Sequence, residues 1–232
     1  MKKILALIIV IIFLTGCSVK YDLTINEDLT ITEEVNMTGT DTFFSIYNKT
    51  SKLNVVKMML SENMQSLLEE SGYQYSIVEE RKPYVLVGKT FDNVDDYCEN
   101  NLFFEQFFEK INCEEDDNII KITTEGFVPN DPENPERYDI NDLTIAITSK
   151  YKVIDNNANH VDKNTNTYYW EITNDTLEFD LLLSFDKTVK FNPYINTYIM
   201  IFVSILIIAL TWIVVWRLDK KEKEKKKKQE EK

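Results

Sequence analysis

Two uncharged apolar runs, one near each end, constrain this 232-residue chain more than anything between them. Ile4 to Leu14 is a stretch of eleven apolar residues behind Met1-Lys2-Lys3. As a helix it reaches about 16 Å at ~1.5 Å per residue, short of the ~30 Å of hydrocarbon in a bilayer. Tyr194 to Trp216 is 23 residues without a charge. As a helix it reaches about 34 Å, which crosses a bilayer with some tilt. The first run suits the core of a secretory leader and the second suits a membrane span. The water-soluble part is what lies between them.

The residues after the first run refine that reading. Leu14-Thr15-Gly16-Cys17 places two small residues and a thiol at the end of the apolar core. This resembles the bacterial lipoprotein signal, which implies cleavage between Gly16 and Cys17, a diacylglycerol thioether on Cys17, and a bacterial source. Two acyl chains and a second anchor hold a protein far more firmly than one chain does. At the other end, Tyr194 and Tyr198 flank one side of the span and Trp212 and Trp216 the other, as interfacial aromatics do. The tail from Arg217 to Lys232 has nine basic and five acidic residues. Positive flanks stay cytoplasmic, so the middle of the chain is expected outside. Glu222–Lys226 and Glu224–Lys228 are i,i+4 pairs that allow the helix to continue into the tail. The expected divisions are a signal peptide at 1–16, an extracytoplasmic domain at 17–193, a transmembrane helix at 194–216 and a basic cytoplasmic tail at 217–232.

Removing Lys2, Lys3 and the tail from the 26 basic and 39 acidic residues leaves 15 and 34, a domain net charge of −19. Such a surface repels nucleic acid and anionic head groups, so no nucleic-acid partner is expected. Cys98 and Cys113 are the cysteines that remain after Cys17. Outside the cytoplasm a disulfide between them can persist. Two free thiols are the alternative.

Within the domain, Val19, Tyr21, Leu23 and Ile25 alternate, Asn26-Glu27-Asp28 turns the chain, and Leu29, Ile31, Glu33 and Val35 resume the alternation. That is a β-hairpin starting two residues from the acylated cysteine. Leu53, Val56, Leu60, Met64 and Leu67 then form a helical stripe ending at Ser71-Gly72. Strands are expected over Tyr73–Val78 and Tyr84–Phe91, followed by a helix from Val94 to Lys110 capped by Asn93. Phe103, Phe104, Phe107 and Phe108 crowd onto that second helix. They either line a site for a hydrophobic ligand or serve as core against a sheet. Ile119–Phe127 is a strand and Val128–Tyr138 a loop with prolines at 129, 132 and 135. Asp131, Glu133 and Glu136 in that loop lack the spacing and central glycine of a calcium loop, so no metal is expected. Strands at Leu143–Ile154, Thr167–Ile172 and Leu177–Phe185 end the domain, the last two as a hairpin around Asn174-Asp175. The sum is an α+β domain: an antiparallel sheet with about two helices on one face, plus the C-terminal transmembrane helix.

Gly16-Cys17 leading straight into the hairpin Val19–Val35, Asn166-Thr167-Tyr168-Tyr169-Trp170 opening the last hairpin, and the terminal helix with its basic tail resemble the LppM-type bacterial lipoproteins. The family's hairpin turn usually carries glycine where this chain has Leu29. The resemblance implies an α+β domain akin to lipid- or hydrophobic-ligand-binding folds, with no catalytic residues to carry over. The residues agree on the last point. The single histidine, His160, lies in an Asn-rich turn, and metalloprotease, dithiol, phosphate-loop and dinucleotide motifs are absent from the sequence. No enzyme and no cofactor are expected. Two functions stay open: a membrane-anchored surface lipoprotein binding lipid or another hydrophobic ligand, and a protein-interaction subunit of a cell-envelope complex. The partners expected are the membrane, a lipid ligand and envelope proteins.

Overall fold

The computed structural model describes residues 17–39, 44, 51–128, 142–173 and 175–230. The leader with Gly16, the proline loop at 129–141 and the turn residue Asn174 lie outside the described residues. The chain divides into two compact units, one ending at Phe191 and the other beginning at Asn192.

The first unit is α+β with mostly antiparallel pairing. Strands β1 (Cys17–Ile25) and β2 (Ile31–Gly39) form the expected hairpin, running in register from Cys17↔Gly39 to Ile25↔Ile31. Their odd-numbered side chains from Val19 onward are buried. Asp28 accepts from the Thr30 backbone N–H and hydroxyl in the turn, and Leu29 takes the left-handed φ of 69° that glycine usually fills. Leu29 is held there partly by packing against the core.

The first helical stripe is broken in two, α1 (Lys52–Met59) and α2 (Glu62–Glu70). Ser61 leaves the helical region and its hydroxyl accepts from the Met64 N–H, so it caps a new helix. The break shifts the phase, and Leu68 rather than Leu67 is fully buried. Gly72, at φ 76°, ends α2 in a left-handed turn. The Tyr73 N–H then reaches back to the Leu68 carbonyl at 2.8 Å, which turns Tyr73 inward.

β3 (Gln74–Val78) and β4 (Tyr84–Phe91) pair with β2. The expected helix to Lys110 is much shorter. α3 (Val94–Asn100) is capped by the Asn93 side chain and stops where Asn101 turns extended, its N–H on the Tyr97 carbonyl. A single 3-10 turn, Phe104–Gln106, follows, and Phe108 already opens a strand, β5 (Phe108–Asp116). Of the four phenylalanines only Phe108 lies in the strand; Phe103, Phe104 and Phe107 belong to the 3-10 turn and its two flanks. β5 pairs with β6 (Ile119–Phe127).

The stretch read as one strand from Leu143 is two, β7 (Asp142–Ser149) and β8 (Tyr151–Asn156), in different sheets. The short β9 (His160–Asp162), β10 (Thr167–Thr173) and β11 (Leu182–Lys190) complete the unit. β10 and β11 are not a hairpin, since β10 pairs with β7 and β9, and β11 with β6 and β8. The sheet is therefore two sheets. One has seven strands in the order β3-β4-β2-β1-β7-β10-β9 and the other four in the order β5-β6-β11-β8. The β1–β7 pair is parallel, from Ser18↔Asp142 to Ile25↔Ser149. Residues of both sheets and of α1, α2 and α3 share one hydrophobic core.

The second unit is α4 (Ile195–Glu230), a helix of 36 residues that continues through the basic tail. Met200–Arg217 has a mean hydropathy of 2.3 and none of it is buried. The two hydroxyls in that stretch bond to their own helix, Ser204 to the Met200 carbonyl at 2.8 Å and Thr211 to that of Ile207 at 2.7 Å.

Candidate functional site

The inner face of the seven-stranded sheet carries one carboxylate. Strand alternation puts Glu33 between Ile31 and Val35, and cross-strand register puts it beside Leu23 on β1 and Lys89 on β4. It is completely buried. Both oxygens are used: the Tyr21 phenol donates to Oε1 at 2.5 Å and the Tyr73 phenol to Oε2 at 2.6 Å. Tyr97 on α3 meets the Tyr21 hydroxyl at 2.9 Å, and the Leu102 N–H donates to the Tyr73 oxygen at 2.9 Å. Each contact depends on a local device described above. The strand phase aims Tyr21 inward, the Gly72 turn delivers Tyr73, and the Asn93 cap sets the helix that carries Tyr97. The Lys89 ammonium lies 5.2 Å over the Tyr73 ring and 4.3 Å over Phe91, and bonds the Asn100 carbonyl.

Burial dominates the titration of this group. It raises the Glu33 carboxyl to about 7, against the opposing pull of the Tyr21 and Tyr73 hydrogen bonds and the Lys89 charge. Burial, followed by the Glu33 charge, pushes the Tyr21, Tyr73 and Tyr97 phenols upward, so they remain donors. Protonating Glu33 gives one of its oxygens a hydrogen to donate. The protonated carboxyl keeps acceptor lone pairs for both phenols, but it brings one more hydrogen into a sealed site. Both of its oxygens accept a phenol hydrogen bond, and the residue is closed to solvent.

Phe103, Phe104 and Phe107 pack against the tyrosines of this cluster, and Phe108 packs behind Phe104. Phe103, Phe104, Phe107 and Phe108 are each at most 2% exposed. Phe104 lies 5.1 Å from the Tyr21 ring and 5.0 Å from Phe108, and Phe103 lies 5.5 Å from Tyr73. Phe108 extends the chain of rings to Phe127 and Phe179. Cys98 on α3 and Cys113 on β5 are joined in a disulfide, with Cα atoms 6.3 Å apart, which ties the short helix to the second sheet. Cys17 is the first residue of β1 and pairs with Gly39. His160 is exposed on β9, its ring 5.8 Å from that of Tyr169. The outer face of β2, β4 and β3 bears an open hollow of about 540 Å³ lined by Thr32, Glu34, Gln74, Gly88 and Thr90 among others.

Glu33 escaped the reading of candidate residues, although its signal is in the sequence. It is the one charged side chain in the inward phase of the hairpin. Tyr73 and Tyr97 had no comparable signal, because only the turn after α2 and the early end of α3 bring them to it.

No family model matches the chain, and no curated protein matches it. Among solved structures there is a distant likeness to the folded domain of LppM from Mycobacterium tuberculosis, determined by NMR. Identity is 10%, the TM-score is 0.47, and the match covers 74% of this chain and 90% of that one. So slight a likeness carries no argument about site, ligand or role.

Proposed function

We propose that this chain is a bacterial envelope lipoprotein, acylated at Cys17 and crossing the membrane once, whose folded unit faces outward as a non-catalytic binding module. The observation that carries the reading is the apolar stretch of α4. Large aliphatic and aromatic side chains from Met200 to Trp216 are 43–72% exposed. Such a surface is costly in water and favourable in hydrocarbon, where the internally bonded Ser204 and Thr211 hydroxyls are also satisfied. The lysine-rich turns beyond Arg217 favour the cytoplasmic side. The non-catalytic part rests on the closure of Glu33 and on the surface position of the one histidine.

The module is read in two ways. A lipid or other hydrophobic ligand would use Phe103, Phe104, Phe107 and Phe108, and would have to part rings that now pack on one another. That packing favours the second reading, in which the domain docks an envelope protein through its surface. Native mass spectrometry of the full-length protein extracted in detergent tests both. The expected mass lacks residues 1–16 and includes a diacylglycerol, which Cys17→Ser abolishes. Non-covalent lipid retained on the domain supports the ligand reading, and a stoichiometric protein partner without lipid supports docking. An uncleaved, unacylated chain overturns the proposal.

A further inference from the structure

We infer that the folded unit lies along the membrane surface rather than standing on it, because its two lipid attachments sit at opposite ends of β1. This deepens the envelope-lipoprotein reading and rests on it. β1 has nine residues, Cys17 at one end and Ile25 at the other. Eight steps at ~3.3–3.4 Å separate those ends by about 27 Å. The chain leaves the unit at the Ile25 end. The Ile25 carbonyl accepts from the Lys150 N–H at 3.0 Å, and the Lys150 carbonyl accepts from the Phe191 N–H at 2.9 Å. Lys190 reaches Glu27, in the turn after β1, at 2.7 Å. Tyr151, the register partner of Lys190, donates its hydroxyl to the Glu27 carbonyl at 2.7 Å. These contacts tie Phe191 to the end of β1 that is far from Cys17.

Neither attachment has slack. Ser18, next to the acylated residue, is already paired with Thr38 on β2 and Asp142 on β7. Beyond Phe191, only Asn192 and Pro193 precede Tyr194, where the uncharged run opens. Three residues reach about 10 Å when fully extended. Keeping residues 195–199 above the hydrocarbon as helix adds about 8 Å. Even the longer reach, about 18 Å, falls short of the ~27 Å needed to stand β1 upright on Cys17. The limit holds β1 within roughly 40° of the membrane plane. Attraction to lipid is not the cause, since a net charge of −19 is repelled by anionic head groups. The tethers impose the posture, so lengthening one of them releases it.

The test uses the full-length acylated protein in vesicles of neutral and anionic phospholipid. With Cys17 acylated and Cys98 bridged to Cys113, Asp28→Cys or Thr38→Cys supplies one reactive thiol for a dye at either end of β1. Energy transfer to a head-group acceptor reports height. The expected result is that both dyes lie within about 20 Å of the surface. Twelve glycine and serine residues inserted between Phe191 and Asn192 should let the position-28 dye rise toward about 27 Å, with the position-38 dye unmoved. A position-28 dye already some 27 Å up at native length, or one that the insertion does not move, overturns the inference. The mass of the same preparations separates the two failures. A missing acyl group on Cys17 sinks the lipoprotein reading, whereas an acylated protein with a distant position-28 dye sinks only the posture.

Discussion

At residue 33 the strand pattern calls for an aliphatic side chain, and a carboxylate stands there instead. Its consequence is a pH dependence with a definite sign. The folded state raises the Glu33 carboxyl from its ordinary 4.5 to about 7, so the folded protein binds this proton more tightly than the unfolded chain does. The stability it contributes is fully present below about pH 4.5, falls between 4.5 and 7, and stays lost above that. The span corresponds to about 3 kcal/mol. Glu27, Asp28, Asp162 and Asp186 are held below their ordinary values by hydrogen bonds, and they oppose the trend at acid pH. The difference between the native chain and Glu33→Gln isolates the effect. Urea midpoints should show the native protein losing stability from pH 5 to pH 8 relative to the variant, and parallel profiles would refute the assignment. Tyr73→Phe removes one of the two donors to the carboxylate. It should cost about 1.5–3 kcal/mol at pH 8 and less at pH 5, where the protonated acid needs that donor less. Glu33 was visible in the sequence as a charged residue in the inward phase of the hairpin, whereas its partners were not. Tyr73 and Tyr97 lie 40 and 64 positions further along the chain, and nothing local says that they converge.

Element by element, what was legible followed strict periodicity. The first hairpin, β4 and β6 were readable because alternation and turn residues agreed. The aromatic segment after Asn93 was misread because tyrosine and phenylalanine fall at both helical and strand spacings, and Asn101 was not recognised as a stop. Its side chain and backbone N–H both bond the Tyr97 carbonyl, which closes α3 after seven residues. Ser61 likewise caps a second helix in what reads as one continuous stripe. β7 and β8 were merged for a different reason. Leu143, Ile145, Ile147, Ser149 and Tyr151 all point inward, so the period of two runs unbroken through the change of sheet. What changes there is the hydrogen-bond partner, which side-chain pattern does not record. The disulfide joins two elements of low regularity, α3 and β5, and closes a loop of about 16 residues. Reducing it, or making Cys98→Ser, should lower stability by about 3 kcal/mol, read as a shift in urea midpoint with and without reductant. An unchanged midpoint would mean that the bridge is dispensable for holding α3 against the second sheet.

For the whole molecule, the α+β class and the apolar terminal helix were legible, because charge and hydropathy act over long stretches. The division into two sheets and the parallel pair at the centre of the larger one were not. β1 and β7 are separated by 124 positions at Ser18 and Asp142, and no pattern within either strand names the other. That separation also sets an order of events. A chain exported from its amino end delivers β1 and β2 early and β7 only after more than half of its length has emerged. Until then one backbone edge of β1 has no partner, and the search for it closes a long loop, which is slow. During that interval the hairpin is held by β2 alone, with Cys17 at its open margin. Arrival of Asp142–Ser149 ends the interval, and on the lipoprotein reading proposed above, processing at Cys17 and completion of the sheet compete in time.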